Sequence, residues 1–280
     1  MRSLLAALLL VACGPEGRPD GPGVTVDAPP VQPMTDAPAT QDMSRVYAHS
    51  GTTLYRLDPT LLVPTSIGTM IGLEDARELL DLAVDKDDRI LGITANKLYL
   101  LNATSGAASL IRELPPSAQG FTSLSFVYGA NPADPDMLVA ANNQGNVYRI
   151  DEVTGEATIL GNYGTSSGQQ IKSSGDLFGV RGLGIFATVD VGNGTTDYLA
   201  KIDPANGWKA TLMPNATGFD KIFGLGYWNG TIYGFVDDGF DAGTGKMIRI
   251  DPTSGVGNTL NSGPVRWFGA GVATDTPVIF

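Results

Sequence analysis

One phrase is written five times along this chain, and the repetition constrains the fold more than any other feature. Its copies are LYRLDPTLLVPTSIG (54–68), LYLLNATSGAASLIREL (98–114), VYRIDEVTGEATILG (147–161), LAKIDPANGWKATLM (199–213) and MIRIDPTSGVGNTL (247–260). Each reads as a short apolar-rich strand, an Asp or Asn, a turn and a second strand. The markers Asp58, Asn102, Asp151, Asp203 and Asp251 recur every 44–52 residues. An Asp or Asn there can accept hydrogen bonds from backbone N–H groups two or three residues on, closing the turn. The Gly of the TSG, VTG and ANG turns supplies a positive φ.

Two further strands precede each later copy. They are LLDLAV (79–84) and ILGIT (90–94), SLSFVY (123–128) and MLVAAN (137–142), DLFGV (176–180) and IFATVD (185–190), and IFGLGY (222–227) and TIYGFV (231–236). A period in the forties with four strands per unit is the signature of β-propeller blades. Only RVYAHS (45–50) precedes the first copy, while WFGAGVAT (267–274) is left over at the other end. Joining them completes the first blade and removes both sheet edges. The expectation is an all-β chain with a single propeller over 44–280. It has five blades of four antiparallel strands, the first closed by the C-terminal strand. The alternative is six blades with one degenerate, although no unassigned stretch is long enough for it. The 36 Gly and 18 Pro among 280 residues suit a turn-rich β domain.

The amino terminus has a different character. Arg2 is followed by the nine apolar residues LLAALLLVA (4–12), too few to span a bilayer and suited to a signal-peptide core. The run ends in LVACG, which resembles the lipobox of bacterial lipoproteins. That resemblance implies a signal peptide over 1–12, cleavage before Cys13 and lipidation of Cys13, hence a membrane partner. Gly14, rather than an Asp, follows the Cys, which in this family implies the outer membrane. The alternative is an ordinary secretory signal with a Cys near its cleavage site. Cys13 is the only Cys, so no intramolecular disulfide can form. Residues 14–43 hold seven Pro, four Gly and five acidic residues with no aromatic, so 13–43 reads as a lipidated Cys on a disordered tether. A net charge of −11 with only 17% charged residues argues against nucleic acid as a partner.

The repeated phrase resembles those of the NHL, YVTN and quinoprotein-like propellers. The resemblance implies architecture rather than activity, since such blades carry many functions. The tryptophan-docking repeat of quinoprotein dehydrogenases and the metal cage of gluconolactonase-like propellers are not matched, so no catalytic residue and no cofactor is carried over. His49 is the only His, which rules out His-rich zinc sites. A lone His is more often a satisfied structural residue than a base. No GxSxG elbow and no phosphate-binding G-x-x-x-x-G-K-[ST] loop occurs. Calcium is the remaining metal option, through the oxygen-rich stretches VDVGNGTTD (189–197) and VDDGFDAGTG (236–245), neither of which has EF-hand spacing.

In this strand assignment three long inserts, 162–175, 191–197 and 237–245, share one face. Long loops on a rigid scaffold are where binding resides. The candidate binding face holds Asp190, Asp197, Asp220, Asp237, Asp238, Asp241, Arg266 and Trp267, the last at the channel mouth. The favoured reading is an envelope-anchored, non-catalytic scaffold for a protein, glycan or small ligand. A second is a carboxylate- or calcium-dependent propeller hydrolase or lyase, which needs converging acids at the channel mouth. A third is a passive assembly lipoprotein.

Overall fold

The computed structural model describes residues 44–74, 79–239 and 243–279. The signal peptide, the lipidation of Cys13, the tether and Asp241 lie outside the described residues.

The chain forms a five-bladed β-propeller. Blade I holds β1 (Val46–His49), β2 (Thr53–Asp58) and β3 (Val63–Thr69). Blade II is β4 (Asp81–Val84), β5 (Ile90–Ile93), β6 (Lys97–Leu101) and β7 (Ala108–Glu113). Blade III is β8 (Phe121–Val127), β9 (Met137–Asn142), β10 (Asn146–Ile150) and β11 (Ala157–Asn162). Blade IV carries an extra strand: β12 (Thr165–Ser166), β13 (Gln169–Val180), β14 (Gly184–Val191), β15 (Tyr198–Asp203) and β16 (Lys209–Leu212). Blade V is β17 (Ile222–Trp228), β18 (Thr231–Asp237), β19 (Gly245–Ile250) and β20 (Gly257–Gly263). The last strand, β21 (Gly269–Val272), pairs antiparallel with β1, Val46 opposite Val272 and His49 opposite Gly269, and so supplies the inner strand of blade I.

The repeated phrase closes its turns as its chemistry requires. Asp58 accepts from the amides of Thr60 and Leu61, both at 2.8 Å; Asp151 does so from Val153 and Thr154, and Asp251 from Thr253 and Ser254. Asn102 and Asp203 make equivalent bonds. Four of the five turns place Gly at positive φ (Gly106, Gly155, Gly207, Gly255); blade I places Leu62 there, at φ 52°.

Neighbouring blades bury their faces against each other. Tyr47, Leu54, Leu82, Ile90 and Tyr99 fill the layer between blades I and II, and Leu91, Leu124, Phe126 and Leu138 that between II and III. Val139, Ile171, Leu177 and Val189 join III to IV. One larger cluster, including Phe178, Leu225, Phe235, Val46 and Trp267, runs through IV, V and I. A blade alone would leave both faces wet, which is why the copies stack. Inner strands crowd at the axis: a Cβ on Gly224 would stand 2.7 Å from the Ala270 nitrogen.

Candidate functional site

The five inner strands β4, β8, β13, β17 and β21 present one edge to the axis, and beyond the two-residue pairing of β12 with the start of β13 no further strand pairs with it. Their backbone N–H groups therefore need other acceptors. Each inner strand has the same axial position, occupied in blade order II, III, IV, V and I by Asp81, Ser123, Asp176, Gly224 and Gly269. The next residue in each, Leu82, Leu124, Leu177, Leu225 and Ala270, points its amide inward.

All five amides end on two carboxyl groups. Asp81 accepts from Leu82 at 2.8 Å, from Leu124 at 2.7 Å and from Ala270. Asp176 accepts from Leu177 at 2.6 Å and Leu225 at 2.5 Å. Both side chains are fully buried and hydrogen-bond each other. Burial pushes both pKa values well above the ordinary carboxylate range; at Asp176 the Asp81 charge pushes further. Two carboxyls in contact in a sealed site must hold a proton between them.

His49 borders this pair. Its ring is fully buried, and burial lowers its pKa to about 4, so it is neutral at pH 7. Nδ1 lies 2.8 Å from the Ser50 carbonyl, which can only accept, so Nδ1 carries the proton and Nε2 is a bare lone pair. That nitrogen has no partner. A Cβ on Gly269 would stand 2.5 Å from it and 2.4 Å from Asp81 Oδ1, which shows why this axial position carries no side chain. On the other side Tyr163 is buried near Asp176, its hydroxyl likewise unpartnered. The channel thus contains converging acids, but their oxygens are already committed to backbone amides and are closed to solvent.

The rim is built differently. Insert 162–175, expected as a loop, folds in large part as β-structure: β12 hairpins onto β13 (Thr165 opposite Gln170), and β13 continues along β14 (Ile171 opposite Val191, Lys172 opposite Asp190), whereas 191–197 is a turn after its first residue. The resulting flap extends blade IV. Beside it lies an open hollow of about 620 Å³ lined by Gln169, Gln170, Lys172 and Asn193.

At the foot of the flap, Asp190, Asp197 and Asp220 come together. Asp197 is fully buried and ties blade IV to blade V: its Oδ2 accepts from the Ile222 amide at 2.8 Å, its amide donates to the Phe219 carbonyl at 2.8 Å, and its carbonyl accepts from Thr217. Burial, with the charges of Asp190 and Asp220 adding to it, raises its pKa to about 7. Burial and the Asp220 charge also raise Asp190, against the opposing effect of Lys172. Ser174 lies against Asp197. Even so, Asp190 Oδ1, Asp197 Oδ1 and Ser174 Oγ are buried without a well-formed hydrogen bond. Asp220 is exposed and accepts from the Lys221 amide.

The other rim residues are structurally engaged. Burial opposes ionisation of Asp237, but two 2.8 Å hydrogen bonds from Arg266 prevail and hold its pKa below the usual value. Asp238 accepts from Thr244 and pairs with Lys246. Trp267, expected at the channel mouth, is only 5% exposed. It packs edge-on to Tyr55 and Phe235, at 5.1 and 5.4 Å, in the seam between blades V and I. Among the described residues no three His, Cys, Asp or Glu side chains are grouped so as to hold a metal ion.

Sequence reasoning passed over Asp81 and Asp176. The signal was present: LLDLAV and DLFGV both carry Asp-Leu at the same inner-strand position, where the other blades carry Ser or Gly. Aligning the inner strands would have shown two acids meeting on one axis.

No protein-family model and no curated protein matches this chain. Among solved structures it is similar to a protein of unknown function from Bacteroides thetaiotaomicron, with 16% identity and a TM-score of 0.47 over 68% of this chain and 53% of that one. It is also similar to an auxiliary nutrient binding protein from the same organism, with 11% identity and a TM-score of 0.43 over 76% and 53%. A putative TolB from Agrobacterium tumefaciens has 14% identity and a TM-score of 0.44 over 79% and 77%. The chain spans about half the length of the two Bacteroides proteins.

Proposed function

We propose that this chain is a lipid-anchored envelope protein whose propeller binds a ligand without transforming it, on the rim of blade IV. The observation that carries the reading is the open hollow beside the blade IV flap, lined by Gln169, Gln170, Lys172 and Asn193. A polar lining of amides with one lysine suits a ligand rich in hydroxyl groups, such as an envelope glycan. The amides of Gln169, Gln170 and Asn193 can both donate and accept, which suits the same chemistry. The enzymatic reading is disfavoured because the paired acids of the channel are sealed and their oxygens occupied.

The test is a thermal-shift panel on the full chain with cell-wall fragments, neutral sugars, calcium and a chelator, repeated with Gln170→Ala and Asn193→Ala. A ligand at about a hundred times its dissociation constant stabilises by about 2.7 kcal/mol. For a domain of this size that raises Tm by roughly 5–10 °C. A glycan shift that shrinks in both variants supports the rim site. A shift unchanged in both, or none across the panel, contradicts it. Anchorage is tested separately: Cys13→Ser is expected to lose labelled-palmitate incorporation and leave the membrane fraction. Membrane retention by that variant contradicts lipidation.

A further inference from the structure

The two axial carboxyls divide the ring. Asp81 gathers the amides of Leu82, Leu124 and Ala270, from blades II, III and I. Asp176 gathers those of Leu177 and Leu225, from blades IV and V. The hydrogen bond between the two side chains therefore crosses both the seam between III and IV and the seam between V and I. We propose that Asp81 and Asp176 form a one-proton clasp that holds these two groups of blades together at the axis and releases them when the proton is removed.

The proton's place follows from counting donors. With three amides Asp81 is the better-stabilised anion, so Asp176, with two, keeps the proton and donates it to Asp81. Removing it sets two anions against each other in a sealed site, and neither can turn away without abandoning backbone amides that have no other acceptor. The titratable groups facing the pair do not supply a replacement. His49, from β1, is neutral and offers only a lone pair. Tyr163, between β11 and β12, is held protonated by burial. At the axial position β8 contributes the hydroxyl of Ser123, while β17 and β21 contribute Gly224 and Gly269; Thr188 of β14 adds a hydroxyl against the Asp176 backbone.

The sign is fixed. The folded state holds a proton that the unfolded chain gives up in the ordinary carboxylate range. The clasp's contribution is therefore complete at low pH and is lost as pH rises toward the pair's raised value. Trp267, wedged between Phe235 of blade V and Tyr55 of blade I, sits in one of the seams that would loosen.

The experiment compares the full chain with Asp176→Asn from pH 5 to pH 10 by thermal unfolding and tryptophan emission, with Trp267→Phe assigning the signal. Asparagine keeps a donor toward Asp81 but has no proton to lose. The wild type is expected to lose several degrees of Tm on the alkaline side relative to Asp176→Asn, and Asp81→Asn to be less stable than Asp176→Asn because three amides depend on it. An alkaline slope unchanged in Asp176→Asn, or an Asp81→Asn at least as stable as Asp176→Asn, overturns the clasp. If the variants do not fold, the wild type still decides. Trp267 emission shifting to the red at a pH below global unfolding is expected, and emission constant until global unfolding overturns the proposal.

Discussion

Ring closure depends on how closely β17 and β21 approach, and Gly224→Ala tests it. A methyl group on Gly224 would meet the Ala270 Cβ and nitrogen, both at 2.7 Å, and the Gly269 carbonyl carbon at 2.8 Å. Two of these three atoms are backbone, held by the pairing of β21 with β1 and by the bond from the Ala270 amide to Asp81. They cannot turn aside as a side-chain tip could, so strand β21 must shift. Forcing a methylene-sized group into a packed core costs about 1–3 kcal/mol. The loss of unfolded-chain entropy from Gly to Ala returns about 0.4–1 kcal/mol. The net expectation is a loss of roughly 1–2 kcal/mol, or about 2–8 °C of Tm at about 2–4 °C per kcal/mol for a domain of this size. Gly263→Ala is the control, since a Cβ there meets nothing within 4 Å, and it should stay within about 0.5 kcal/mol of wild type. Both are read by circular-dichroism melting. A Gly224→Ala variant as stable as Gly263→Ala would refute the tight β17–β21 contact.

Further outcomes follow from the same geometry. Leu62 occupies the left-handed position that Gly fills in the other four turns, so Leu62→Gly is expected to be neutral or stabilising by up to about 1 kcal/mol, while Gly155→Leu, driven against Arg112, loses at least that much; denaturant melts read both. Asp197 keeps its proton in the fold up to about pH 7, so its contribution is full below the ordinary carboxylate value and is lost as pH rises through about 7. Asp197→Asn should remove that part of the pH dependence, seen as a changing Tm difference from wild type between pH 4 and 7. His49 acts in the opposite sense: with its pKa lowered to about 4, stability present above the ordinary histidine value of 6.5 is lost as pH falls toward 4, and His49→Gln should flatten that limb in the same melts.

The repeat made the architecture legible because a blade cannot hide both faces alone, so periodic turns, alternating apolar strands and an orphan terminal strand admit one closed solution. The Asx turns at Asp58, Asn102, Asp151, Asp203 and Asp251 formed for the local reason their spacing states. What the turns do not determine is which inward positions meet across the axis. Asp81 and Asp176 stand 95 residues apart, and their contact depends on blade geometry rather than local pattern. The flap of blade IV escaped for a related reason: QQIKSS alternates too weakly to announce a strand and is held as one by its pairing with β14. Trp267 had a legible strand position, yet which side of that strand packs into the V–I seam emerged only with Tyr55 and Phe235 in place.

The central claim is that the channel is sealed by its own carboxyls, leaving ligand chemistry to the rim. Native-state hydrogen exchange at the amides of Leu82, Leu124, Leu177, Leu225 and Ala270 tests it most directly. A sealed channel predicts that all five exchange only through global unfolding, with protection equal to the most protected amides of β5 and β9. Exchange at these five faster than at the middle-strand amides would mean a solvent-filled channel with available acids, and would contradict the account.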